Sequence, residues 1–291
     1  MDVLPLQYFA QQVLQEAVLD LKVLTDRSSR LVVHVQTHAG VWVVKADAQA
    51  GTFAPEIEAL KRLEQHGFPV QRPVAWQDGP PALLLLPWTQ GTEPEVGPAA
   101  QSIGALLAHL HQLPGHLPPP EGLTWAQWMR GWLQHALTYW LATGLAPAGA
   151  PTRLSRWFSR LESLLEKRGT QLILFDGRPE HFIVAPSGDV GLIDVAELRA
   201  GDGLMDLAVI GINGPGLLPG VLRGYGPLTP GEQALLKFYS LLRALAAAEW
   251  NERELGGADW QRFLEAAALL LPGEGCVGQQ QDQEHAAFTA W

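Results

Sequence analysis

Cysteine is nearly absent from this chain. Cys276 is the only one in 291 residues, which excludes an internal disulfide framework and any zinc site built from cysteine pairs. Basic residues are also scarce. Twenty Lys and Arg stand against 30 Asp and Glu, for a net charge of −10, whereas a generic nucleic-acid binder carries a basic footprint. No uninterrupted run of about 18 apolar residues occurs, so no membrane-spanning helix is expected. The opening Met1-Asp-Val-Leu-Pro-Leu-Gln lacks the basic n-region of a secretory signal. The chain has no Walker A loop, no Gly-x-Ser-x-Gly elbow and no His-Glu-x-x-His, which removes support for P-loop NTPases, serine hydrolases and zinc proteases. The nine histidines do not restore a metalloenzyme reading, because His109 and His111, two apart on a helix, do not share a face. A cytoplasmic globular protein is expected. Its 47% hydrophobic and 17% charged residues are enough for a large core and too apolar for disorder.

Periodicity divides the chain in two. Apolar residues at helical spacing (Leu6, Phe9, Val13, Leu14, Val18, Leu21) predict a helix over 6–23. Two β-rich runs follow at 31–36 and 41–45, joined by a turn at 37–40. A helix is predicted at 55–65, then strands near 72–76 and 82–86, for an order β-β-α-β-β. Beyond a linker near 87–91 the pattern turns helical, with segments at 98–112, 125–145, 154–167, 204–212, 231–256 and 258–271. The expected domains are 1–88, small and β-rich, and 89–291, larger and mainly helical. The tryptophans at 125, 128, 132, 140 and 157 fall at helical spacing and are read mostly as core, with some available to an acceptor cleft.

The segment Asp176-Gly-Arg-Pro-Glu-His181 carries the densest chemistry. An Asp, a cation two residues on, a Pro and a metal-ligand type form one short unit, and Asp194 follows thirteen residues after His181. A β-hairpin, 182–184 with 191–193, is expected between them. Phosphoryl transfer needs a group that orients the attacking hydroxyl, metal ligands, and positive charge on the transferring group. Lys45 ends the second predicted strand. Glu56 lies in the first turn of the next helix and is preferred over Glu58 as its partner, Glu58 being read as an exposed i,i+4 partner of Arg62.

These residues resemble the aminoglycoside phosphotransferase and choline kinase superfamily, over roughly 22–210. Gly201-Asp-Gly-Leu-Met-Asp206-Leu-Ala is similar to that family's motif after the metal-binding Asp. Asp176 followed five residues later by His181-Phe is similar to the catalytic loop of lipopolysaccharide core kinases. The resemblance implies an α+β, bilobal protein-kinase-like fold with ATP bound between the lobes. It implies that Lys45 and Glu56 hold the nucleotide phosphates, and that the Leu86 carbonyl and Trp88 amide meet adenine. The turn 25–30, with Ser28 and Ser29 as donors, would cover the phosphates. His181 and Asp194 would bind Mg²⁺, with Mn²⁺ as the alternative, Asp176 would orient the acceptor hydroxyl and Arg178 would neutralise phosphate charge. Asp206 would brace the catalytic loop, and His111 would take a capping or core role. The chain departs from the family in three places. Leu174 replaces a loop histidine, His181 replaces an asparagine, and the 25–30 turn lacks glycines.

The expected function is ATP-dependent transfer of the γ-phosphate to a hydroxyl of a small molecule or glycan, with no nucleic-acid partner. The alternative is a catalytically inactive pseudokinase that binds nucleotide or a partner protein. A third reading, a protein kinase, lacks a recognisable activation segment ending in Ala-Pro-Glu.

Overall fold

The computed structural model describes residues 2–27, 29–115, 122–256 and 259–273. The chain forms two compact units, one of 1–94 with 180–198 and the other of 95–179 with 199–291.

The first unit is built on a five-stranded antiparallel sheet in the order β1-β2-β3-β5-β4. Its strands are β1 (Asp20–Arg27), β2 (Arg30–Gln36), β3 (Val41–Asp47), β4 (Ala75–Gln77) and β5 (Ala82–Pro87). Helix α1 (Leu4–Leu14) lays Leu6, Phe9 and Ala10 against Leu31, Val33, Val35, Val44, Ala46, Leu83 and Leu85. Because side chains alternate along a strand, Lys45 points away from the face that carries Val44 and Ala46. Helix α2 (Ala54–Gln65) buries Glu56, Ile57, Leu60 and Leu63 and leaves Glu58 exposed.

The helix expected over 6–23 is two elements. It stops at Leu14, where Gln15 takes a left-handed conformation (φ 56°), and β1 begins at Asp20. Val18 and Leu21 match helical spacing but serve the sheet, so the order is β-β-β-α-β-β. The 25–30 segment is likewise mostly strand, with Thr25, Asp26 and Arg27 paired to Val32, Leu31 and Arg30.

The chain re-enters the first unit as the hairpin β7 (Phe182–Val184) and β8 (Val190–Leu192). Backbone hydrogen bonds fasten this hairpin. Thr92 and Val184 exchange bonds of 3.0 and 2.8 Å, and the Leu192 amide donates to Pro69 O at 2.8 Å. Gly91 permits this approach, since a Cβ there would collide with the Val184 carbonyl.

The second unit contains α3 (Pro98–Leu110), α4 (Trp125–Ala142), α5 (Ala150–Leu165), α6 (Leu204–Asn213), α7 (Leu218–Tyr225), α8 (Pro230–Trp250) and α9 (Trp260–Leu270). Thr124 with Gln127 and Thr229 with Glu232 form capping boxes that start α4 and α8 by satisfying orphan amides at the helix N-terminus. Two short strands, β6 (Gln171–Ile173) and β9 (Arg199–Gly201), pair antiparallel on either side of the 180–198 excursion. Helix α7 is absent from the sequence expectation. Its Gly220 and Gly224 pack against Ala100 and Gln101 of α3, and Gly104 of α3 lies against Val221. Glycines that weaken a helix signal here allow two helix backbones to touch. Among the described residues, no helix is long and apolar enough to cross a membrane.

Candidate active site

In the first unit, Glu56 of α2 and Asp194, just after the hairpin, meet at Lys45. Its Nζ lies 2.6 Å from Glu56 Oε1 and 3.1 Å from Asp194 Oδ1. His181 Nε2 lies 3.7 Å from Asp194 Oδ2. Glu56 and His181 are buried, and the Asp194 side chain is 40% exposed. Burial alone would lower the Lys45 pKa, but the Glu56 and Asp194 carboxylates outweigh it and raise the value. Burial would raise the Asp194 pKa, and the charges of Lys45 and His181 outweigh that and lower it. Arg30 adds to the same field while its guanidinium pairs with Asp47 at 3.4 Å. Arg30 closes the 25–30 turn expected to cover the phosphates, where only Ser28 and Ser29 were assigned as donors.

Asp194 has φ 54°, a left-handed conformation that is costly for a residue with a Cβ. The Ile193 amide donates to His181 O at 3.0 Å, tying the residue before Asp194 back to the start of the hairpin. The hairpin therefore delivers both His181 and Asp194 to one place.

The expected adenine contacts need correction. The Trp88 amide donates to Val41 O at 3.0 Å, so this donor is already committed to the sheet. Val43 opposes Leu86 in the same register. Hydrogen-bonded pairs alternate along an antiparallel ladder, and this alternation turns the Leu86 carbonyl toward Val43. The Pro87 carbonyl accepts from Gln71 Nε2 at 2.6 Å. Strand pairing thus extends one residue further than the apolar run suggested and consumes the groups assigned to adenine. Ser28 lies outside the described residues. Ser29 is exposed in the turn, and its carbonyl accepts from the Ala48 amide at 2.9 Å.

In the second unit, β6 leads into the loop that carries Asp176 and Arg178. Asp206, at the start of α6, accepts from the Leu174 amide through Oδ2 and from the Phe175 amide through Oδ1, both at 2.8 Å. This is the bracing expected of it. His111 lies 3.0 Å from Asp206 Oδ2 through Nε2 and 2.9 Å from the Tyr225 hydroxyl through Nδ1. All the polar atoms of His111 and Asp206 are thereby satisfied inside the core, as buried polar groups require. Asp202 is also fully buried. It accepts from Tyr239 at 2.8 Å and pairs with Arg168 at 3.7 Å. Burial raises its pKa.

Asp176 meets two guanidinium groups. Arg178 Nε lies 3.3 Å from Oδ2, and Arg243 of α8 lies 3.3 Å from Oδ1. Phe175, at φ 66°, stacks on Trp128 at 5.3 Å and packs against Trp132 at 5.8 Å. The guanidinium groups of Arg199 and Arg243 lie 4.6 and 5.4 Å from the Phe175 ring centre. Arg243 and this aromatic stack were not singled out from the sequence. Arg243 sits in an ordinary amphipathic helix 67 residues from Asp176, and nothing local marks it.

Asp194 and His181 bring one carboxylate and one imidazole together. A carboxylate oxygen suits Mg²⁺, and an imidazole nitrogen suits Mn²⁺ better. No group of three or more His, Cys, Asp or Glu that could hold an ion occurs among the described residues. A cation held by Asp194 and His181 alone would take its other ligands from phosphate oxygens and water.

The architecture, an N-terminal five-stranded antiparallel sheet followed by a mainly helical region, is the α+β kinase-like fold. Over residues 20–239 the chain matches the model of the phosphotransferase enzyme family, and it belongs to that family. No curated protein matches it. Among solved structures, it is similar to a protein from Thermobifida fusca assigned as a fructosamine-3-kinase, with TM-score 0.65 and 21% identity over 91% of this chain and 97% of that one. It is similar to the aminoglycoside phosphotransferase APH(2")-IIIa in its GDP and kanamycin complex, with TM-score 0.69 and 14% identity over 91% and 97% of the two chains. It is also similar to a spectinomycin phosphotransferase in complex with ADP and spectinomycin, with TM-score 0.60 and 13% identity over 92% and 93%. At these identities the structural likeness concerns the fold.

Proposed function

We propose that this protein is an ATP-dependent phosphotransferase that moves the γ-phosphate to a hydroxyl group of a small molecule or glycan. The observation that carries this reading is Lys45 held between Glu56 and Asp194. A lysine fixed by a buried helix carboxylate presents its ammonium in one orientation, which is what holding nucleotide phosphates requires. Nucleotide complexes of proteins with this fold, with ADP and with GDP, support the same reading.

In this scheme the first unit binds the nucleotide and the second supplies the acceptor chemistry. Lys45 holds the α- and β-phosphates, and Glu56 keeps the lysine charged and aimed. Asp194 and His181 would hold the divalent cation, which supplies neutralisation of phosphate charge when bound. Asp176 orients the acceptor hydroxyl and takes up its proton as the oxygen attacks the γ-phosphorus. The bond from that phosphorus to the β–γ bridging oxygen breaks, and ADP leaves. Arg178 offsets the charge on the transferring group. Catalysis would come from positioning and electrostatics, with no covalent enzyme intermediate.

The deciding experiment is calorimetric titration with a non-hydrolysable ATP analogue, in Mg²⁺, in Mn²⁺ and without metal, on wild type and Asp194→Ala. Metal-dependent binding that the substitution removes supports the scheme, and hydroxyl acceptors are then screened for turnover. Absence of binding under every condition overturns it. One observation favours the second reading, an inactive nucleotide- or partner-binding module. The Trp88 amide is already hydrogen-bonded within the sheet, which removes one anchor for adenine. Binding without turnover in either metal would select that reading.

A further inference from the structure

We propose that Arg243 is a positioning residue for Asp176, holding its carboxylate so that Arg178 can leave it for the transferring phosphate. This rests on the phosphotransferase reading above and extends it to a residue outside the loop.

Each Asp176 oxygen has its own guanidinium, Arg243 on Oδ1 and Arg178 on Oδ2. Among the described residues, these are the side chains paired with Asp176. The two arginines differ in how they are held. Arg243 projects from the middle of α8, a 21-residue helix, and its side chain is only 16% exposed. Its guanidinium lies 5.7 Å from the Trp132 ring centre and 5.4 Å from that of Phe175. A planar cation flanked by aromatic faces on a rigid helix has little freedom to turn elsewhere. Burial lowers its pKa, and the Asp176 carboxylate opposes that shift. The Asp176 carboxylate thus offsets part of the cost of burying this cation.

Arg178 stands in the loop itself, two residues from Asp176, with a side chain 34% exposed. Its side chain is long enough to reach a phosphate beside Asp176. A charge-stabilising arginine that was also the sole support of the base would face a conflict, because serving the phosphate would abandon the carboxylate. Arg243 removes that conflict by staying in place. Leu174, buried and apolar, offers no side-chain hydrogen bond to Asp176. Asp206 fixes the loop backbone through the Leu174 and Phe175 amides, and Arg243 fixes the side chain.

The test is ATP hydrolysis with water as acceptor, in Mg²⁺ and in Mn²⁺, for wild type, Arg243→Gln, Arg243→Lys, Arg178→Ala and the Arg178→Ala/Arg243→Gln double variant. Arg243→Gln is expected to lower kcat by about 10- to 100-fold and to change KM for ATP by less than about threefold, the pattern of an interaction that matters in the transition state. Arg243→Lys, which keeps the charge and loses the planar fork, regains part of kcat. In the Arg178→Ala background the Arg243→Gln loss grows by at least about fivefold, because Arg243 is then the last guanidinium holding the carboxylate. An unchanged kcat, a rise in KM alone, or equal losses in both backgrounds overturns the proposal. Should the Gln variant fail to fold, the Lys variant and its Arg178→Ala double are read by the same criteria. A wild type that binds ATP without hydrolysing it overturns the phosphotransferase reading and this inference with it. An active wild type with indifferent Arg243 variants overturns this inference alone.

Discussion

Asp206 holds the Phe175 amide at 2.8 Å while Phe175 sits at φ 66°. A buried carboxylate thus stabilises a backbone conformation that a residue with a Cβ rarely adopts, one position before Asp176. The same carboxylate binds the Leu174 amide and the His111 ring. Removing it leaves three buried polar groups without their partner and releases the strained residue.

Asp206→Ala is therefore expected to lower stability by about 3–5 kcal/mol, the range for breaking a buried charged network by deleting one partner. Asp206→Asn, which keeps an acceptor oxygen, should lose less. Urea unfolding of both variants checks this, and a loss below about 1 kcal/mol for the alanine would show that the network contributes little.

The Lys45–Asp194 pair sets a pH window for the first unit. The folded Lys45 pKa is raised above its ordinary 10.5, so its contribution is fully present below that value and is lost as pH rises through the raised one. The folded Asp194 pKa is lowered below its ordinary 3.8, so its contribution is present above that value and disappears as pH falls through the lowered one. Melting temperature followed from pH 3 to 11 should fall at both ends. Lys45→Met should flatten the alkaline limb and Asp194→Asn the acid limb, and unchanged limbs would contradict the pairing.

In the proposed scheme His181 bears on metal choice. An imidazole nitrogen suits Mn²⁺ better than Mg²⁺, which prefers oxygen. His181→Asn supplies an oxygen and is expected to shift the ratio of Mn²⁺- to Mg²⁺-supported ATP hydrolysis toward Mg²⁺ by about tenfold, the lower end of ligand-environment effects. An unaltered ratio would place His181 outside the metal site.

Gly91 holds the hairpin of β7 and β8 against the first unit. Its Cβ position is occupied by the Val184 carbonyl, so Gly91→Ala must push the hairpin away. A loss of about 1–3 kcal/mol is expected, as for other overpacked sites, together with weaker ATP binding, because the hairpin carries His181 and Asp194. Faster amide exchange at Val184 and Thr92, read by hydrogen–deuterium exchange, is the measurement. Binding as tight as wild type with normal exchange would contradict the account.

Much of the fold was legible in the chain. The β-rich runs at 31–36 and 41–45, the period of α2 with Glu56 in its first turn, and the Asp176-to-Asp194 segment each announce themselves locally. The misreadings also have local causes. Val18 and Leu21 fit a helix as well as a strand, so β1 was hidden inside the predicted 6–23 helix. The glycines of α7 suppressed its signal. The Trp88 amide was assigned to adenine because an apolar run does not show where ladder pairing stops.

Residue spacing by itself determined the elements and the kinds of chemistry available, because backbone periodicity and turn preference act over a few residues. Only the tertiary structure decided which groups meet. Asp194 reaches Lys45 across 149 residues, because backbone bonds to Pro69 and Thr92 fasten its hairpin to the first unit. Arg243 reaches Asp176 across 67, because α8 packs with α4 and α6 and Trp132 and Phe175 flank the guanidinium. Such meetings depend on how buried surfaces fit together, and no short stretch of sequence encodes them.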